Sequence, residues 1–86
     1  MSKIDRENYQ KRLKRINGQV QGIMKMIDNE RCCEDILIQI SAVESALKSL
    51  GKEILLEHME TCMVQDIKKG NMDSIKKASD LCGKLV

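Results

Sequence analysis

From Ile36 to Ile54 an apolar residue recurs every three or four positions (Ile36, Ile40, Val43, Leu47, Leu50, Ile54), and the apolar face then continues through Leu55, Met59 and Cys62 towards Ile67. That spacing is one stripe along one helix. Nothing in the segment forbids it. The chain has no proline, Gly51 is isolated, and Lys68-Lys69-Gly70 offers cations for a last turn and a glycine to close it. A helix over about 32–69 is nearly forty residues long, roughly three times the globular average. An apolar face of that length cannot cover itself, so the chain needs a partner.

Two shorter helices complete the reading. Tyr9, Leu13, Ile16, Val20, Ile23 and Ile27 alternate spacings of four and three, which predicts a helix over about 5–28, with Asp5 as N-cap and Asp28-Asn29 as its stop. Gly18 and Gly22 interrupt it at a cost of up to about 1 kcal/mol each, which implies close approach to another helix. A third helix over about 72–85 follows Asn71 as N-cap and turns Ile75, Ala78, Leu81, Cys82 and Leu85 inward. No linker or repeat divides the chain, so residues 1–86 read as one all-α domain of three helices. With no Phe or Trp and a single Tyr, an aromatic-stacking RNA platform and a sheet-based dinucleotide fold are excluded.

Charge is unevenly distributed. Residues 1–31 carry eight basic and four acidic side chains, whereas residues 32–86 carry seven and nine. Between Asn8 and Ile27 there are five bases and no acid. A basic helix face of this kind suits an anionic polymer such as DNA, although an ordinary solvated face has the same composition. No segment has the length and apolarity of a membrane span or signal h-region, so a cytoplasmic location and no membrane partner are expected. Four cysteines in such a chain point to ligands or redox-active thiols rather than structural disulfides.

His58 and Cys62 stand one helical turn apart and can grip one ion. Taken alone, the pair reads first as a packed histidine and a buried thiol. Cys33 changes the balance. It lies 29 residues before Cys62, roughly 43 Å along a continuous helix, so one chain cannot bring the two together. In an antiparallel pair of identical helices crossing near Leu47-Lys48, residue 33 of one copy faces residue 62 of the other. Two-fold symmetry then gives two equivalent sites and buries the long stripe. Two thiolates and an imidazole suit Cu(I), whereas Zn(II) wants a fourth ligand. Cys32 reads as a spare ligand, an oxidation partner or, by preference, simply a small residue, and Cys82 and most of the six methionines read as core filler.

The stretch Arg12-Leu-Lys-Arg-Ile-Asn-Gly-Gln-Val-Gln-Gly-Ile resembles the R-L-x-R-I-x-G-Q-x-x-G-I signature of the copper-sensitive operon repressor family. Cys33-Glu-Asp-Ile-Leu-Ile-Gln-Ile-Ser-Ala-Val-Glu-Ser-Ala-Leu is similar to its C-x-D-(I/V)-L-x-Q-I-S-A-V-x-x-A-L block, and His58 and Cys62 follow at the family's offsets. The resemblance implies three helices per chain, an antiparallel four-helix-bundle dimer, and a dimer-of-dimers homotetramer that binds operator double-stranded DNA without a helix-turn-helix. It implies Cys33 of one protomer with His58 and Cys62 of the other as the Cu(I) ligands, with Cu(I) as inducer. The basic face supplies Lys11, Arg12, Lys14 and Arg15 for DNA, extended by Lys48 and Lys52.

Relatives that sense nickel or cobalt, persulfide or formaldehyde carry different donor sets, so copper leads within the family. A thiol redox protein built on Cys32, Cys33 and Cys62 is the rival from another class. The chain offers no evident general base or substrate pocket, and no enzyme is expected. Two departures stand out. Cys32 occupies a position that is often Tyr in copper members, and the last helix offers Asp80 and lysines where the family often places a Glu.

Overall fold

The computed structural model describes residues 1–60, 65, 68–70 and 73–85. The described elements are helices: α1 (Lys3–Asp28), α2 (Cys33–His58) and α3 (Asp73–Leu85). They fall into two compact units, Ser2–Leu47 and Lys48–Val86 with Met1, and α2 contributes to both.

In the first unit, α1 begins earlier than the sequence suggests. Ser2, not Asp5, is its N-cap, with extended dihedrals of φ −78° and ψ 169°. The Asp5 backbone N–H donates to Ser2 Oγ at 3.1 Å, and the Ser2 hydroxyl donates back to the Asp5 carboxylate at 2.8 Å. Asp5 is therefore the third helical residue, where its charge meets the positive end of the helix dipole. An acid near a helix start signals the cap only to within a turn, and Ser2 outcompetes it by reaching the amide directly.

The far end of α1 stops at Asp28 with Asn29 as C-cap. The Glu30 N–H donates to the Ile27 carbonyl at 3.1 Å and the Arg31 N–H to the Met26 carbonyl at 3.0 Å. Those two bonds form a Schellman closure, which requires a left-handed residue at Glu30. Glu30 adopts φ 54°. A non-glycine residue there carries a steric cost of roughly 1–2 kcal/mol. Glu30→Gly is accordingly expected to raise unfolding free energy by about 1 kcal/mol, read as a higher urea midpoint at unchanged slope. An unchanged or lower midpoint would count against this account of the turn.

The turn delivers the chain into α2 within a few residues. The Ile36 N–H donates to the Cys32 carbonyl at 3.3 Å, so Cys32 stands at the N-cap and Cys33 is the first helical residue. Arg31 and Asp35 form an exposed i, i+4 ion pair at 3.9 Å across that helix start. Ile16 is the buried residue of α1, and Ile36, Val43 and Ala46 of α2 are half-buried.

In the second unit Leu50 and Ala78 are buried, only 3% and 4% exposed. The α3 stripe is narrower than its sequence implies. Ala78 and Leu85 are covered, whereas Leu81 and Cys82 are exposed at its rims, so the inward, packed position expected for Cys82 is not found. Gly51 explains how a terminal leucine comes so close to α2. A Cβ at position 51 would sit 2.9 Å from Leu85 Cδ2, so the absent side chain makes room for it. Past His58 the backbone widens into a π-type turn at Met59-Glu60, then is helical again at Gln65 and Lys68. Gly70 takes φ 80°, the left-handed geometry a helix-closing glycine supplies. Asn71, expected as the third N-cap, and Cys62 lie outside the described residues.

Candidate functional site

Each half of α2 presents one of the expected donors. In the Ser2–Leu47 unit, Cys33 opens the helix as an exposed free thiol. Leu37, Ile40 and Leu47 follow it at offsets of four, seven and fourteen residues, which places them in nearly the same phase of the 3.6-residue repeat. All three are exposed in the single chain, at 63%, 43% and 46%. A thiol at the head of an uncovered leucine and isoleucine stripe is the arrangement that a second helix would complete. Ile36, Val43 and Leu50, about a quarter-turn away, are the positions that this chain covers itself.

In the Lys48–Val86 unit, His58 closes the α-helical part of α2 and its side chain is exposed. It borders an apolar cleft of about 480 Å³ whose walls include Ile54, Leu55, Leu81 and Leu85. Glu57, also on that cleft, receives the N-terminal ammonium of Met1 at 3.2 Å and is largely covered. This acid beside the candidate ligand was not singled out from sequence. Only its position next to His58 could have flagged it, since its pairing with a chain terminus leaves no sequence signal.

Cys33 and His58 are thus the first and last residues of a 26-residue helix. At about 1.5 Å per residue that is nearly 40 Å, far beyond any shared coordination sphere. Among the described residues no three histidine, cysteine, aspartate or glutamate side chains cluster as a metal site. The donors themselves fit a soft ion: exposed thiol and imidazole groups, uncommitted to any disulfide. Cys32 is exposed beside Cys33.

Of the expected DNA contacts, Lys11, Lys14 and Arg15 are exposed on α1, and Arg12 is half-buried and already interacts within the chain. Lys48 and Lys52 are exposed on α2. On the helical wheel Lys11, Lys14, Arg15, Gly18, Gly22 and Lys25 share an arc about 100° wide, opposite the side that carries Ile16. Nothing among the described residues lies within 4 Å of a Cβ placed at Gly18 or Gly22. The close helix approach expected at these glycines is therefore not made by the described residues of this chain. They are notches in the basic face. No helix among the described residues is long and apolar enough to cross a membrane.

Comparison with known proteins places these features. A family model for the metal-sensitive transcriptional repressors matches residues 5–84. The chain is 46% identical over 65 residues to the copper-sensing transcriptional repressor RicR of Mycobacterium tuberculosis, covering 76% of this chain and 68% of that one. It is 44% identical over 70 residues to the copper-sensing transcriptional repressor CsoR of Bacillus subtilis, covering 81% and 69%. The crystal structure of the copper-sensing repressor CsoR with Cu(I) from Geobacillus thermodenitrificans superposes with a TM-score of 0.88 at 40% identity, over 98% of this chain and 88% of that one. With a match across almost its whole length, the chain belongs to the family of metal-sensitive transcriptional repressors.

Proposed function

We propose that this chain is a Cu(I)-responsive repressor that binds operator DNA in its metal-free form and releases it on metal binding. The observation that carries the reading is the separation of the donors. Cys33 and His58 stand at opposite ends of α2, and the face beginning at Cys33 is apolar and uncovered. A second copy running antiparallel would cover that face and bring His58 and Cys62 to Cys33. The copper-sensing names of the relatives and the Cu(I) in the Geobacillus structure support copper over other inducers.

In this reading the assembly is an antiparallel dimer that pairs into a tetramer in the cytoplasm. Cys33 of one copy, with His58 and Cys62 of the other, would hold Cu(I) by soft-donor coordination. Lys11, Lys14 and Arg15, extended by Lys48 and Lys52, meet the phosphates and set the position of the protein on DNA, while Arg12, half-buried and engaged within the chain, supports that face. Release needs two arrangements of the bundle, with the ligand-closed one binding DNA less well. A coupling of about 1–3 kcal/mol between the sites, some 5- to 150-fold in DNA affinity, is the ordinary scale of such linkage.

The test is operator affinity measured with and without Cu(I) under reducing conditions, with Ni(II) run in parallel. Cu(I) is expected to weaken binding by at least fivefold and Ni(II) to leave it unchanged. Unchanged affinity with Cu(I), or release by Ni(II) alone, sinks the reading.

A further inference from the structure

Cys32 has no part in the proposed copper set, yet it is the residue that α2 places immediately beside Cys33. Both thiols are free and exposed. The backbone under them is fixed on both sides. The Schellman bonds at Glu30 and Arg31 hold the approach, and the Ile36-to-Cys32 bond of 3.3 Å starts the helix. The two exposed thiols therefore ride on a pinned backbone at the head of α2.

We infer that Cys32 and Cys33 form a vicinal dithiol site for trivalent arsenicals. Distance selects this chemistry over oxidation. Consecutive Cα atoms are about 3.8 Å apart, below the roughly 4.4–6.8 Å that a direct S–S bond of about 2.05 Å prefers. A disulfide here would strain the start of α2. A one-atom bridge removes that conflict, because each sulfur bonds to arsenic and the two sulfurs stay well beyond bonding distance of each other. Arsenic(III) is thiophilic and pyramidal, and two thiols suffice when its third position carries hydroxide or an aryl group.

The bonds balance without any oxidant. Arsenous acid loses two hydroxyl groups as water, taking the two thiol protons, and two As–S bonds form. Phenylarsine oxide loses its single oxygen as one water in the same way. The site shares Cys33 with the copper set but does not depend on that reading, since neither His58 nor Cys62 enters it. Arsenical bound there occupies Cys33, so it is expected to block Cu(I) at the same chain.

The experiment titrates the fully reduced protein with phenylarsine oxide, following free thiols and intact mass. One equivalent per chain is expected to block two of the four thiols and to be reversed by excess dimercaptopropanol. Cys32→Ser should lose the chelate, with affinity falling by at least about 10²-fold, because the second thiol no longer acts at millimolar or higher effective concentration. Serine is a good N-cap, so this variant keeps the helix start and should keep its Cu(I) response. Cys62→Ser should bind phenylarsine oxide as the wild type does while losing Cu(I). If Cys32→Ser titrates like the wild type, or Cys62→Ser abolishes the adduct, the arsenical sits elsewhere and the inference is wrong.

Discussion

Chains carrying Cys33→Ala and chains carrying His58→Ala are each expected to lose tight Cu(I) binding, and to regain part of it when unfolded together and refolded as a mixture. The two residues end the same helix and cannot meet within one chain. In a two-fold antiparallel pair every site takes Cys33 from one copy and His58 from the other. A mixed pair then contains one site missing both donors and one site missing neither. With random pairing about a quarter of all sites are restored. Each single variant should weaken binding by more than the 10- to 100-fold that outer-shell substitutions cost. Competition with a Cu(I) chelator under reducing conditions measures both effects. A mixture that binds no better than its components would refute the shared site, whatever the single variants do.

The second large effect concerns salt. Two copies of α1 present six exposed cations, counting Lys11, Lys14 and Arg15 on each. Six phosphate contacts imply an operator affinity that falls by about 10³-fold between 50 and 200 mM salt, through release of condensed counterions. Replacing Lys14 or Arg15 by glutamine should weaken binding to operator and random DNA alike and flatten the log–log salt slope by about one unit for each phosphate contact removed. Arg12 should behave differently, because it is half-buried and already engaged within the chain. Its loss is expected to lower stability more than it changes the slope. A slope near zero for the wild-type chain would remove α1 as the DNA face.

What could be read from sequence follows what each feature depends on. The α1 stripe and its stop at Asp28-Asn29 were legible because apolar periodicity and a turn residue are local signals. The start was misplaced at Asp5, since a serine three residues earlier competes for the same amide and neither residue type decides between them. Glu30 was invisible as a left-handed residue, because glutamate has no preference for that region and the Schellman bonds impose it. Gly18 and Gly22 stand out for their helix cost, which implies close approach to another helix, and the described residues of this chain leave both positions open. Gly51 was passed over as tolerated, although Leu85 fills the space it leaves. For the metal donors, spacing alone puts Cys33 and Cys62 too far apart to meet within one chain. The exposure of Cys33 and His58, and that of Leu37, Ile40 and Leu47, required coordinates.

In the proposed assembly, with Cys33 as the first residue of α2 and His58 as its last, the helix also acts as a gauge whose length is itself specified. A substitution midway between Cys33 and His58 changes packing by an amount that neighbours can absorb. An inserted or deleted residue turns one end against the other by about 100° and moves it about 1.5 Å. In a two-fold assembly that displacement occurs at both sites at once. Apart from positions that packing fixes, such as Gly51 and Leu50, variation along this stretch is expected to change letters more readily than count, and length changes are expected only outside the span from Cys33 to Cys62.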